Sequence, residues 1–181
     1  KFHLLFNQMG IKKGDKIALV GKNSARWCCI YLSAVSYGAV IVPILPDFKP
    51  DDVQSIINHS DSLLLFCTDT IFQTIDPAKL PAIQAIISLN TFEIYHSTSD
   101  AIRSLVEGLD VEFARQYPLG LKADKFALPV ISNTELAVIS YTSGTTGFSK
   151  GVMLQHNSLA ANVRYAQKNM PLLPGDPIVS F

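Results

Sequence analysis

One stretch of the 181-residue chain concentrates side chains that could do chemistry: Tyr141-Thr142-Ser143-Gly144-Thr145-Thr146-Gly147-Phe148-Ser149-Lys150-Gly151. Between residues 142 and 150 lie five hydroxyl side chains, two glycines and one lysine. Glycines let a backbone approach a ligand closely and adopt positive φ. Successive backbone N–H groups in such a loop form a concave anion site. Hydroxyls donate hydrogen bonds to phosphate oxygens, and one can also ligate Mg²⁺. Lysine adds a mobile positive charge. Each charge-assisted hydrogen bond contributes about 1.5–3 kcal/mol, so a few of them can hold a polyphosphate. The spacing is not that of the G-x-x-x-x-G-K-[ST] loop, because Gly144 and Gly147 are three apart and Gly151 follows Lys150. The G-x-G-x-x-G pattern and the kinase H-R-D and D-F-G motifs are absent from the sequence. On composition alone, the segment suits a phosphate cradle and a flexible hydroxyl-rich linker between two strands equally well.

Other candidates carry less. His156 follows the loop and reads as a helix-start or packing histidine ahead of a catalytic base, while His3, His59 and His96 have no evident partner in the sequence. Lys12, Lys13, Lys16, Lys22 and Arg26 read as a solvated rim rather than a cofactor or membrane patch, and Trp27 as core. Cys28, Cys29 and Cys67 are odd in number, and two are adjacent in an apolar run. They read as reduced core residues of a cytoplasmic protein, not as a disulfide framework or a zinc site. Fifteen basic and fifteen acidic residues give zero formal charge, so no electrostatic grip on nucleic acid is expected. Hydrophobic residues make up 48% and charged residues 17%, against a usual charged share of about 25%. That composition excludes disorder. The charge shortage implies a heavily buried sheet, or a surface that faces more protein.

The elements that must position the loop follow from apolar pattern. Trp27 to Leu45 is a charge-free run of 19 residues, nearly the length of a membrane span. Gly38 and Pro43 interrupt it. Residues 27–37 have helical spacing and 39–44 are β-branched, so a buried helix leading into a buried strand is the preferred reading. Strands are predicted over 16–20, 39–43, 63–67, 85–88, 136–141, 151–155 and 178–181. Helices are predicted over 2–9, from Asn23-Ser24 to Tyr37, and over 50–59, 69–74, 100–108, 111–116 and 157–168. The strands of the first half, through 85–88, are continuous apolar runs, as a sheet covered on both faces requires. The alternation predicts an α/β fold of three layers, a mostly parallel sheet with helices on both faces. Residues 1–90 form a first βα half, 91–134 a connector without chemistry, and 135–181 a strand-loop-strand-helix unit that carries the loop. Lys1-Phe2-His3-Leu4 reads as the middle of an amphipathic helix, so the chain is expected to be an excerpt of a longer protein.

Tyr-Thr-Ser-Gly-Thr-Thr-Gly-x-x-Lys-Gly-Val, at 141–152, resembles the signature of the AMP-forming adenylating superfamily. That group includes acyl-CoA synthetases, peptide-synthetase adenylation domains and luciferases. The segments at 10–19, 23–44 and 151–159 are also similar to the family's, and 91–134 is the weakest stretch. Among the subgroups, the chain most resembles long-chain fatty acyl-CoA synthetases, in the N-terminal AMP-binding domain.

The resemblance implies a two-step reaction. A carboxylate, here of a fatty acid, attacks the α-phosphate of ATP to give acyl-adenylate and pyrophosphate, and coenzyme A then displaces AMP. It implies that Thr142, Ser143, Gly144, Thr145, Thr146, Gly147 and Lys150 hold the ATP phosphates. Lys150 acts as the catalytic cation, and Thr142 lies near Mg²⁺. Ser149 stands where the family usually has proline, a departure expected to loosen the loop. The adenine and ribose sites, the carboxylate of the Mg²⁺ site and the C-terminal domain are expected downstream, so the chain alone is expected not to form acyl-adenylate. Two other readings stay open. One is another adenylating enzyme, for aryl or amino acids or for loading acyl groups onto a carrier protein. The other is a non-catalytic polyphosphate-binding or membrane-associated module. A cytoplasmic location, with room for peripheral contact at the inner face of a membrane, and either oligomerisation or a large exposed apolar patch complete the expectations.

Overall fold

The charge-free run from Trp27 to Leu45 folds as a helix and a strand. Helix α2 (Ala25–Tyr37) begins at Ser24, whose side chain accepts a hydrogen bond from the Trp27 amide at 3.1 Å. It ends at Gly38, where φ is +92°, a conformation that residues with a Cβ rarely adopt. A Cβ there would also come within 3.1 Å of the Lys13 side chain. Strand β2 (Val40–Ile44) follows, parallel to β1 (Lys16–Val20) in the register Ile17↔Ile41 and Leu19↔Pro43. Among the described residues no helix is long and apolar enough to cross a membrane. The computed structural model describes residues 1–122, 127–142, 150–170 and 173–176.

The same logic builds the rest. Helix α1 (Phe2–Gln8) precedes β1. Helix α3 (Pro50–His59) starts with proline in its first turn, carries Asp51 and Asp52 there and His59 in its last turn. All three suit the helix dipole. Strand β3 (Ser62–Cys67), the short helix α4 (Asp69–Phe72) and strands β4 (Ala85–Ser88) and β5 (Ile94–Ser97) come next. Helices α5 (Asp100–Glu107) and α6 (Leu109–Gln116) lead to β6 (Leu136–Thr142), β7 (Lys150–Gln155) and α7 (His156–Asn169). The described strands form one sheet in the order β5-β4-β3-β1-β2-β6-β7. The pairs within β4-β3-β1-β2-β6 are parallel, and the two edge strands are antiparallel to their neighbours.

Alternate strand residues divide the core into two layers. Ile17, Leu19, Ile41, Phe66 and Ile87 pack with Leu5 and Phe6 of α1, Ile30 and Ala34 of α2, and Val106 and Leu109 of α5 and α6. Ala18, Val20, Val42, Leu65 and Ile86 face Val53, Ile56 and Ile57 of α3. Helices cover both faces, as the sequence predicts.

Three expectations need correction. Cys67 is buried, but Cys28 and Cys29 are exposed. Only Ile30 and Ala34 of α2 are fully buried, one turn apart, and positions 28 and 29 lie about 200° and 100° around the helix from Ile30, off that stripe. Trp27 is likewise only half-buried, stacked on Tyr31 with ring centroids 5.2 Å apart. Thirdly, the reading of 91–134 as a connector contains no strand, whereas β5 lies there and pairs with β4. Its turn uses Phe92 at φ +65° and the Ser88 hydroxyl, which accepts from the amides of Asn90 and Thr91. A phenylalanine in left-handed conformation gives no sequence signal of a turn. The strand expected at 178–181 lies outside the described residues.

The orientation of α2 is testable. Ile30→Ala removes a fully buried side chain and is expected to destabilise the fold by about 2–5 kcal/mol, whereas Cys29→Ser is expected to stay within about 0.5 kcal/mol in denaturant unfolding. Burial, with a smaller contribution from Asp69, pushes the Cys67 thiol up to about 12. A disulfide reagent at pH 8 is therefore expected to titrate two thiols in the native state, and the third only after unfolding.

Candidate functional site

The loop singled out by its chemistry joins β6 to β7. Tyr141 faces Gly151 and Thr142 faces Lys150 in the antiparallel register. Directly opposed residues of such a pair have Cβ atoms about 4.5–5.5 Å apart. The hairpin thus brings the first hydroxyl and the lysine of the signature together, and both are exposed. Ser143, Gly144, Thr145, Thr146 and Gly147, with Phe148 and Ser149, lie outside the described residues.

β6 runs parallel to β2, so Thr142 stands at the carboxyl end of the sheet, where open α/β sheets bind their ligands. A cleft of about 750 Å³ opens there between the ends of β1, β2 and β6. Lys22 and Asn23 line it from the turn after β1, Trp27 from the first turn of α2, and Ser140, Tyr141 and Thr142 from β6. The size suits a small-molecule ligand. Lys22 and the Ser140 and Thr142 hydroxyls in the cleft, with Lys150 opposite Thr142 on the hairpin, suit a polyanion, while Asp47 adds one carboxylate to the lining. The described residues include no group of three His, Cys, Asp or Glu side chains able to hold a metal ion. The Thr142 hydroxyl and the Asp47 carboxylate, both lining the cleft, are oxygen donors of the kind a hard cation such as Mg²⁺ takes.

Beneath the hairpin, Tyr141 is only 5% exposed and its hydroxyl pairs with His59 Nδ1 at 2.6 Å. Burial, and then the charge of Asp61, raises the phenol above its ordinary value. The sequence offers no sign of this pair, because 82 positions separate the two residues.

The remaining candidates disperse. His156 opens α7, its amide donating to the Glu135 carbonyl at 3.1 Å. His3 Nε2 contacts the Ser33 carbonyl and the Ser36 hydroxyl. His96 sits on β5 opposite Ile86. Lys12, Lys13, Lys22 and Arg26 are exposed and Lys16 half-buried. Lys13 donates to the Val130 carbonyl, and Arg26 lies over the Phe92 ring 5.7 Å away. Lys13 and Arg26 thus serve separate contacts, and of the five only Lys22 lines the cleft.

The fold is shared with solved adenylating enzymes. The chain superposes on an anthranilate CoA ligase, AuaEII, in complex with anthranoyl-AMP with a TM-score of 0.70 at 19% identity, over 92% of this chain and 29% of that one. It superposes on ATP-bound MatB from Rhodopseudomonas palustris with a TM-score of 0.69 at 23% identity, over 96% and 31%. In sequence it is 29% identical to long chain acyl-CoA synthetase 7, peroxisomal, of Arabidopsis thaliana, over 98% of this chain and 25% of that protein. It is 30% identical to the medium-chain fatty-acid–CoA ligase of Escherichia coli, over 86% and 26%. The chain spans about a quarter of the length of the curated relatives it matches. The family model described as AMP-binding enzyme matches residues 3–181, and the chain belongs to that family.

Proposed function

We propose that the chain is the phosphate-binding part of a longer ATP-dependent, AMP-forming acid–thiol ligase, within its N-terminal domain. The observation that carries this reading is the register of Thr142 opposite Lys150 at the mouth of a hairpin, beside the cleft at the carboxyl end of the sheet.

The acid's carboxylate attacks the α-phosphorus of ATP, and the bond to the β-phosphate's bridging oxygen breaks. Negative charge develops on the departing pyrophosphate. Thr142, Ser143, Thr145 and Thr146 donate hydroxyl hydrogens to its oxygens, and Gly144 and Gly147 contribute backbone amides. Lys150 neutralises the charge as it grows. Catalysis of this kind is electrostatic positioning. Mg²⁺, beside Thr142, would supply further neutralisation of the phosphates. A thiolate, that of coenzyme A, then attacks the acyl carbon and releases AMP.

The acid we propose is a fatty acid. The support is that the relatives include a long chain acyl-CoA synthetase at 29% identity and a medium-chain fatty-acid–CoA ligase at 30%. The exposed free thiols of Cys28 and Cys29 suit a reducing compartment, and we propose the cytoplasm.

Lys150→Ala in the full-length enzyme is expected to lower acid-dependent ATP–pyrophosphate exchange about 10²–10³-fold. A loss smaller than about twofold would show that Lys150 bears no such charge. Turnover with acids of graded chain length is expected to peak on an aliphatic acid. A maximum on an aromatic acid would reassign the substrate class while leaving the adenylation chemistry in place.

A further inference from the structure

The mouth of the β6–β7 hairpin is tied to the body of the protein through one ring. Tyr141 precedes Thr142 and is buried in the layer built on α3, with Val42 and Ile44 of β2 in the same cluster. Its hydroxyl meets His59 Nδ1 at 2.6 Å, the two rings edge to face at 87° with centroids 5.8 Å apart. Its other contact is with the opposite strand. A Cβ at Gly151 would stand 3.2 Å from Tyr141 Cζ and 2.9 Å from Ile139 Cγ2, so the ring lies against bare glycine backbone. Gly151 has no positive φ, and close approach is its reason for lacking a side chain. Thr142 and Lys150 are thus each one residue from a point held by the Tyr141 ring.

We infer that His59 and Tyr141 are positioning residues, which set the separation and direction of Thr142 and Lys150 for a polyphosphate. This rests on the proposed adenylation activity for its kinetic consequence, but not for its structural one. The direction of the effect follows from the geometry. α3 is packed against the sheet through Val53, Ile56 and Ile57, which holds the backbone of its last turn in place, and from there the exposed His59 ring reaches the phenol through Nδ1. Without it, the phenol loses its partner inside the protein and the ring is free to tilt off Gly151.

The test uses the full-length enzyme with His59→Ala, Tyr141→Phe and the double variant. Tyr141→Phe retains the ring, so folding is preserved. His59→Asn places an amide near the position of Nδ1 and serves as the rescue. Amide hydrogen exchange over residues 140–142 and 150–152 is expected to rise about two- to tenfold in either single variant, to rise no further in the double, and to return towards the parent in His59→Asn. In pyrophosphate exchange, the KM for ATP is expected to rise by a similar factor while the KM for the acid is unchanged. Unaltered amide exchange in both single variants, additive effects in the double, or a fall in kcat alone would each overturn the inference. If the parent enzyme exchanges no pyrophosphate with any acid, the proposed activity fails, and the amide-exchange comparison still decides the role of His59.

Discussion

A parallel strand buried on both faces has almost no room for polar side chains along its length, and the rest of this molecule depends on that constraint. β1, β2 and β3 satisfy it by alternating between two apolar layers, Ile17 and Leu19 towards α1 and α2, Ala18 and Val20 towards α3. The buried serines of the sheet sit where strands begin or end. Ser62 opens β3 and pairs with Ser60 at 2.7 Å, and Ser88 closes β4 and caps the turn that follows. Polar chemistry is thereby displaced to the strand ends. The cleft formed by the ends of β1, β2 and β6 is a product of that exclusion, with Lys22, Ser140 and Thr142 gathered where the apolar layers stop.

The signature loop needs something more than a strand end. Its hydroxyl and its lysine are eight positions apart, and in a parallel crossover they would part company. An antiparallel hairpin returns the chain at once and sets Thr142 against Lys150. β6 therefore has two neighbours with different tasks: β2, parallel, fixes its depth in the sheet, and β7, antiparallel, carries the lysine. The step from buried Tyr141 to exposed Thr142 marks the boundary between scaffold and site.

Much of the scaffold is legible in the sequence because its signals are local. Ser24 caps α2, Gly38 ends it, Pro50 and two aspartates open α3, and β1 to β4 are apolar runs between turns. Residue type alone leaves the loop a phosphate cradle or a hydroxyl-rich linker, and positions 143–149 lie outside the described residues. What escapes the sequence is set by partners distant along the chain. Cys28 and Cys29 lie in an apolar run, yet which helix face is buried is decided by where Ile30 and Ala34 meet the sheet. β5 has half-buried residues throughout and follows a turn built on Phe92 rather than on glycine. The pairing of His59 with Tyr141 joins α3 to β6 through a contact that no spacing rule encodes.

The low charge content acquires a more specific meaning from this arrangement. Part of it is internal, since both faces of the sheet are apolar. Part lies outside: Val152 and Met153 on β7 and Val163 and Tyr165 on α7 are exposed, and α7 buries no residue fully. Leu154 and Leu159, half-buried against the first layer, are the apolar side chains of β7 and α7 that reach the core. β7 thus takes its position from β6 and from little else among the described residues. An edge strand held so lightly does not by itself fix a charged side chain at its first residue. The placement of Lys150 must come from the ladder to β6 and from the fit of the Tyr141 ring on Gly151. On that geometry, the glycine next to the lysine and the tyrosine next to the threonine set the spacing of Thr142 and Lys150 across the hairpin.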